Sequence, residues 1–210
     1  MLKIYFMEIY MENRVNKRRE LKYLFDKSRY SFIKKELLVN GYYKQHDKNY
    51  INNLYFDKKL KSYYENIEGL AYRKKFRLRW YDGKSIVLEE KIKEGNTGYK
   101  LRHNSKIDDI NKVNFKQFKV LNNYKPIVYN RYLREYLINS DGIRITLDSL
   151  LTFKKYNSLK KYYSTNNILE IKYPLNEFPE ENIISKLNLR LTKFSKYLDG
   201  LKTINNDSHE

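Results

Sequence analysis

Three short stretches of the sequence each place a glutamate and a lysine two residues apart, flanked by apolar residues. They are ELKYLF, LEEKI and LEIKY, which contain Glu20 and Lys22, Glu89 and Lys91, and Glu170 and Lys172. Alternation of apolar and polar residues predicts half-buried β-strands, whose successive side chains point to opposite faces. Each strand would therefore present a carboxylate and an ammonium group on one face. Carboxylates bind hard divalent cations and ammonium groups bind phosphate oxygens, so these faces suit a phosphate compound and a metal ion.

Four further stretches alternate apolar residues with cations. The cations that share their polar faces are Arg77, Arg79, Lys100, Arg102, Arg134 and Arg144. An antiparallel sheet with one solvated side is the simplest interpretation and needs no ligand. Like charges directly opposite one another destabilise a sheet, however, and few carboxylates are interleaved with these cations. The pattern therefore favours faces that surround an anion.

The overall charge agrees with an anionic ligand. The 210 residues carry a formal net charge of +18, which predicts a polyanionic partner: nucleic acid, an anionic membrane surface or a phosphate-rich small molecule. Zero cysteine excludes disulfides, thiolate zinc sites and cysteine nucleophiles. There is no run of 18 apolar residues, so the sequence predicts no transmembrane segment, and the N-terminus does not resemble a secretory signal. These features predict a cytoplasmic protein.

Eight strands are predicted, over 18–25, 50–56, 71–81, 85–93, 98–103, 127–138, 142–148 and 167–173. Short connections such as YDGK (81–84), with its Asp-Gly turn, predict antiparallel neighbours. Helices are predicted over 28–39, 58–66, 112–121, 180–189 and 192–201. No linker divides the chain, so we expect one domain over 14–201, between an N-terminal extension (1–13) and a polar C-terminal tail (202–210).

About eight antiparallel strands can close into a barrel that holds one elongated ligand. The charged faces would then line the interior. The apolar faces, with Phe76, Trp80, Leu169 and Ile171, would point outward beneath helices. The predicted fold class is therefore α+β: a closed antiparallel β-barrel with flanking helices.

The same stretches resemble the VTC domain of polyphosphate polymerases, a branch of the triphosphate tunnel metalloenzymes in the CYTH-like superfamily. The resemblance runs from about Arg18 to Leu201 and is most specific in the block 50–81 and in KFSK (193–196). It implies phosphate binding by Lys22, Arg77, Arg79, Lys91, Lys100, Arg102, Arg134, Arg144, Ser195 and Lys196. Among the charged residues, those expected to act in catalysis are Lys22, Arg77, Arg79, Lys91, Arg134, Arg144 and Lys172. The resemblance also implies that Glu170 holds Mn²⁺ or Mg²⁺, with Glu20 and Glu89 at the other acidic positions.

The activity implied by the resemblance is that of a metal-dependent polyphosphate polymerase. Such an enzyme transfers the γ-phosphate of a nucleoside triphosphate (ATP) onto polyphosphate. No specific nucleic-acid partner is expected, and coupling to translocation across a membrane would need a separate membrane partner. A triphosphate or nucleoside-triphosphate hydrolase of the same fold is the first alternative, because it would share the binding residues. A non-enzymatic module that binds RNA or polyphosphate is the second, and exposed aromatic residues beside the cations would favour it.

Overall fold

The computed structural model describes residues 18–82, 84–95, 97–104, 109–174 and 185–206. The strands are β1 (Arg18–Asp26), β2 (Tyr43–Asp57), β3 (Tyr72–Tyr81), β4 (Val87–Glu94), β5 (Thr97–Asn104), β6 (Lys125–Ile138), β7 (Arg144–Lys155), β8 (Tyr162–Tyr163) and β9 (Asn166–Pro174). The α-helices with defined ends are α1 (Tyr30–Val39), α2 (Lys61–Ile67) and α3 (Lys196–Asn206), and residues 185–187 are also helical. None of the described helices has the length and apolar character that crossing a membrane requires.

Single antiparallel pairings join the strands into one sheet in the order β1-β9-β7-β6-β2-β3-β4-β5, with β8 added beside β7. The edge strands β1 and β5 do not pair with each other in the described structure. The sheet nevertheless curls so that its two edges approach each other. This is shown by the distance of 3.5 Å between Lys91 Nζ on β4 and Glu20 Oε2 on β1. The α+β class and the antiparallel pairing are confirmed. The prediction of a closed barrel is wrong as far as hydrogen bonds are concerned, since β1 and β5 are not paired in the described structure. The space that the curled sheet surrounds is termed the tunnel.

Two apolar cores cover the outer face of the sheet. Under α1, Ile33 and Leu37 pack in one cluster with Leu169 and Ile171 of β9. Elsewhere on the same outer face, Phe76 belongs to a second cluster, against which Trp80 packs. The predicted outward direction of these strand residues is confirmed.

The second outer core is covered by the segment 110–121, within which the sequence predicts a helix over 112–121. The structure instead has three short 3₁₀ helices, Ile110–Lys112, Phe115–Gln117 and Lys119–Leu121. The side chains of Asp109 and Asn114 accept hydrogen bonds from backbone N–H groups two residues later. Such local bonds compete with the α-helical ladder, which explains why the predicted helix is wrong here.

Helix α3 packs on the inner face of the sheet. Its residues Tyr197 and Leu201 are buried in a third cluster with Ile51 and Phe153. The approach is close at Gly200, where a Cβ atom would lie 2.7 Å from Phe153 Cδ1. Part of the interior is thus filled with apolar side chains, so α3 lies on the inner face of the sheet, whereas the sequence predicted helices that flank the barrel.

The predicted domain limits of 14–201 remain a prediction. The N-terminal extension 1–13 lies outside the described residues, as do the first half of the predicted helix 180–189 (residues 180–184) and the last part of the tail (207–210). Helix α3 continues through Asn206 and buries Ile204, beyond the predicted domain end at Leu201.

Candidate functional site

The inner face of the sheet, outside the apolar cluster under α3, is lined by charged side chains. Register places them in rows across neighbouring strands. Arg77 on β3 lies opposite Glu89 on β4, which lies opposite Arg102 on β5. The next row on the same face lies two residues away on each strand. There, Lys75 on β3 lies opposite Lys91 on β4, and Lys91 lies opposite Lys100 on β5. The period of two residues within each strand is what brings these side chains to one face.

The first charged cluster surrounds Glu89, which is 3% exposed. Its Oε2 atom accepts hydrogen bonds from Arg77 Nε at 2.8 Å and Arg77 Nη2 at 2.5 Å, and lies 3.7 Å from Arg79 Nη1. Its Oε1 atom lies 3.7 Å from Arg102 Nε. Burial alone would raise the pKa of Glu89, but the arginines hold it well below its usual range. Because guanidinium groups surround both oxygens, this geometry favours a role for Glu89 in orienting arginines over metal binding.

The second cluster joins β6, β7 and α3. Asp148 is fully buried and accepts a bidentate pair from Arg134, at 2.6 Å to Nε and 2.7 Å to Nη2. Lys196, the first residue of α3, donates to the same carboxylate at 2.6 Å. Burial alone would raise the pKa of Asp148, but Arg134 and Lys196 lower it.

The Tyr132 ring packs beneath these cations. Lys196 Nζ lies 4.5 Å from the ring centroid, and the Tyr132 hydroxyl accepts a hydrogen bond from Arg79 Nη2 at 3.4 Å. Burial alone would raise the pKa of Tyr132, but the neighbouring Arg134, Arg79 and Lys196 lower it. Tyr132 thus links the two charged clusters.

The third cluster contains two carboxylates on adjacent strands. Glu170 Oε1 lies 3.4 Å from Lys172 Nζ and its Oε2 lies 3.4 Å from Arg134 Nη2. Lys22 on β1 is directly opposite Glu170, so Glu20 is its diagonal neighbour on the same face. Burial alone would raise the pKa of Glu170, but Lys172 and Lys22 hold it well below its usual range. Burial and Glu170 would raise the pKa of Glu20, but Lys91, Lys22 and Lys172 lower it. Both carboxylates are therefore charged at neutral pH.

The third cluster fits a hard divalent cation. Thr146 lies opposite Glu170, and its Oγ1 atom is buried without a hydrogen-bond partner in the part of the chain that the structure describes. No group of three or more His, Cys, Asp or Glu able to hold a metal occurs among those residues. Mg²⁺ is commonly bound by one or two carboxylates together with waters and substrate phosphates, so two carboxylates beside a buried hydroxyl suit it.

The remaining predicted residues lie around these clusters. Burial and the nearby Arg77 and Arg79 lower the pKa of Lys100 well below its usual range. Arg144 is exposed at the start of β7, opposite Lys172. Ser195 directly precedes α3, and its Oγ atom accepts a hydrogen bond from Lys75 at 3.2 Å. The structure thus brings most of the predicted residues into one charged interior, with Arg102 and Arg144 at its exposed margins.

Three residues in this interior were not predicted as site residues: Asp148, Tyr132 and Lys75. The sequence did carry a signal for each, because strand alternation puts Asp148 on the face of Arg144, Tyr132 on that of Arg134, and Lys75 on that of Arg77. What alternation does not reveal is which partners other elements supply, such as Lys196 of α3 for Asp148.

Comparisons with known proteins concern the fold and the family of the chain. No curated protein gives a significant match. Among solved structures, the chain is similar to the PH1819 protein from Pyrococcus horikoshii OT3, with 17% identity, a TM-score of 0.54, and coverage of 88% of this chain and 98% of the other. It is also similar to a putative adenylyl cyclase, HpAC1 from Hippeastrum, described as having a dominant triphosphatase activity, with 14% identity, a TM-score of 0.55, and coverage of 89% and 95%. A third similar structure is a putative adenylate cyclase from Vibrio parahaemolyticus, with 14% identity, a TM-score of 0.53, and coverage of 88% and 97%. These likenesses establish the fold.

The family is established by a separate comparison at the level of sequence. The profile of the VTC domain matches residues 17–205, which is nearly the whole chain and includes every predicted site residue. The resemblance inferred from ELKYLF, LEIKY and the other stretches is therefore confirmed. The chain belongs to the VTC domain family.

Proposed function

We propose that this protein is a metal-dependent polyphosphate polymerase, which transfers the γ-phosphate of a nucleoside triphosphate such as ATP onto a polyphosphate chain in the tunnel. The observation that carries the proposal is the convergence of cations from strands on both sides of the tunnel and from α3 around the carboxylates Glu170 and Glu20. A linear polyanion is the ligand that could contact these cations together. Membership of the VTC domain family supports the same activity.

The arginines would position the phosphate chain. Arg77, Arg79 and Arg134 are each oriented by bonds to a carboxylate or amide, since Arg79 Nε also donates to Asn53 Oδ1 at 2.9 Å. Guanidinium groups fixed in this way can bind phosphate oxygens in a defined geometry, whereas lysines act as point charges. Phosphoryl transfer depends mainly on such positioning and on neutralisation of charge.

Glu170 and Glu20, with the hydroxyl of Thr146 nearby, are the residues that would hold Mn²⁺ or Mg²⁺. Such an ion supplies additional stabilisation of the charge that develops on phosphate oxygens. The lysines around these carboxylates, Lys22, Lys91 and Lys172, would hold the phosphate groups beside them. Lys196 would do the same from the start of α3.

Hydrolysis of a triphosphate or nucleoside triphosphate is a second candidate function. The structural similarity to HpAC1, described as having a dominant triphosphatase activity, favours this alternative. Both reactions use the same binding residues, and they differ in whether a phosphate chain or water accepts the phosphoryl group.

Product analysis distinguishes these functions. The purified protein is incubated with ATP and Mn²⁺ or Mg²⁺, and polyphosphate, orthophosphate and ADP are resolved. A polymerase gives ADP with polyphosphate, whereas a hydrolase gives ADP with an equal amount of orthophosphate. Intact ATP in a sample that binds tripolyphosphate would replace both enzymatic proposals with a polyanion-binding module. A Glu170→Gln sample serves as the control for contaminating activities.

A further inference from the structure

Lys75 differs from Lys74 and Arg77, which lie beside it on β3, in having only uncharged hydrogen-bond partners among those found in the structure. Its Nζ atom donates to Ser195 Oγ at 3.2 Å and to Asn66 Oδ1 at 3.3 Å, and lies 5.7 Å from the Tyr197 ring centroid. By contrast, Lys74 donates to a carboxylate at 2.8 Å, and so does Arg77. The positive charge of Lys75 therefore has hydrogen-bond acceptors but no direct counter-ion among these contacts.

The row to which Lys75 belongs is also short of negative charge. Lys75, Lys91 and Lys100 lie directly opposite one another on β3, β4 and β5. Like charges at such positions destabilise a sheet. The adjacent row, Arg77–Glu89–Arg102, has a carboxylate at its centre, whereas the lysine row has none of its own. Its contact with a carboxylate comes from β1, where Glu20 lies 3.5 Å from Lys91.

The charged groups around Lys75 do not neutralise this excess of positive charge. The charged ones are Arg73 on β3, Lys91 on β4, Lys22 on β1 and Asp57 at the end of β2. The Asp57 carboxylate accepts hydrogen bonds from the Tyr197 hydroxyl and from the Ser62 backbone N–H. Burial first, and then repulsion by Lys91, Arg73 and Lys22, lowers the pKa of Lys75 to about 7. An anion at this position would relieve the repulsion and favour the protonated amine.

We propose that Lys75 is a further phosphate-binding residue, which forms with Ser195 a subsite for one phosphate group of the bound polyanion, beside the start of α3. The inference rests on the proposed function in one respect, namely that a triphosphate or polyphosphate binds in the tunnel. It extends the charged contacts along β3 from Arg79 and Arg77 to Lys75. A chain that reaches Lys75 also contacts Ser195, because the two side chains are hydrogen-bonded to each other.

The subsite has a distinctive dependence on pH. With a pKa of about 7 in the free protein, Lys75 is mostly charged at pH 6 and mostly neutral at pH 8. If the bound phosphate keeps Lys75 protonated, its contribution to affinity falls by about tenfold between these pH values, because affinity is linked to proton uptake. Binding at pH 8 would then take up nearly one proton at Lys75.

The test is titration calorimetry with tripolyphosphate, in EDTA to exclude metals, at pH 6 and pH 8 and in two buffers of different ionisation enthalpy. Tripolyphosphate itself titrates in this range, so the comparison is made between variants. Lys75→Gln should weaken binding by about tenfold at pH 6 and remove the proton uptake at pH 8 that the wild type shows. Lys74→Gln, which removes the adjacent lysine on the outer face of β3, is the matched control and should leave both quantities unchanged.

Lys75→Arg provides an independent variant, because arginine stays charged throughout this range. It should bind tripolyphosphate more tightly than the wild type at pH 8 and as tightly at pH 6. The inference is overturned if Lys75→Gln matches the wild type in affinity and in proton uptake, or if Lys75→Arg has the same pH dependence as the wild type. Absence of tripolyphosphate binding to the wild type would overturn the proposed function as well.

Discussion

Replacement of Asp148 by asparagine tests whether carboxylates hold the charged interior together in the ligand-free protein. The Asp148 side chain is fully buried and accepts three hydrogen bonds of 2.6–2.7 Å from Arg134 and Lys196. Asparagine has nearly the same shape but no charge. It also presents an NH₂ group where one carboxylate oxygen met a cation, so it cannot satisfy both partners.

The expected loss of stability is large. Removing one partner of a buried ion pair costs about 3–5 kcal/mol, because the other charge remains buried without compensation. Two cations lose their partner here, so we expect the upper part of this range, about 4–5 kcal/mol. With a urea m-value of about 2 kcal/mol/M, the unfolding midpoint should fall by about 2 M.

Urea unfolding followed by circular dichroism measures this loss. Asp82→Asn is the matched control, because Asp82 pairs with Arg131 at 2.6 Å but both side chains are 43–52% exposed. An exposed pair contributes at most about 1 kcal/mol. Tripolyphosphate should stabilise Asp148→Asn more than the wild type, since it supplies the missing negative charge. A loss for Asp148→Asn no larger than that for Asp82→Asn would refute this reasoning.

Three further predictions concern binding, metal dependence and acid stability. Glu170→Gln should lower turnover of ATP by orders of magnitude while tripolyphosphate binding persists; normal turnover at low Mn²⁺ would contradict the metal assignment. The double variant Arg77→Ala and Arg79→Ala should abolish tripolyphosphate binding in calorimetry with little effect on weak DNA binding. Charge reversal at surface lysines should do the opposite, and the set to change is Lys34, Lys35, Lys160 and Lys161. Because Glu89, Asp148 and Glu170 have lowered pKa values in the folded state, their stabilisation is complete above their ordinary values of 3.8–4.5 and is lost as pH falls below them. The free energy of unfolding in urea should therefore be lower at pH 3 than at pH 7, and equal values would count against the buried ion pairs.

Within a strand of unbroken register, alternation was sufficient to predict which side chains share the inner face. The residues of β3 show this directly, since Arg77 and Arg79 point inward while Phe76 packs in an outer core. The prediction succeeds because the period of two is a property of the extended backbone and holds in any sheet. The same reasoning could not show that β1 and β5 stay unpaired, because edge pairing depends on the accumulated curvature of all the strands.

The interior of β7 shows a second limit of local reasoning. A shift in the β6–β7 register occurs next to Leu150, which has a φ of 53°. Asp148 and Phe153 therefore both face inward although an odd number of positions separates them. Such a β-bulge inserts one extra residue and so reverses the direction of every later side chain in the strand. The apolar pattern of RITLDSLLTFKK does not predict it.

The amino-acid sequence by itself determined the charged strands, the antiparallel order of the hairpins and the family, because these depend on residue type and spacing along the chain. The tertiary structure decided how the charges are paired. Lys196 reaches Asp148 and Lys75 reaches Ser195 only because α3 enters the inner face, and Gly200 permits that close approach to Phe153. Such contacts join residues 48 and 120 positions apart, so their energies depend on burial and distance in the folded chain and not on any local pattern.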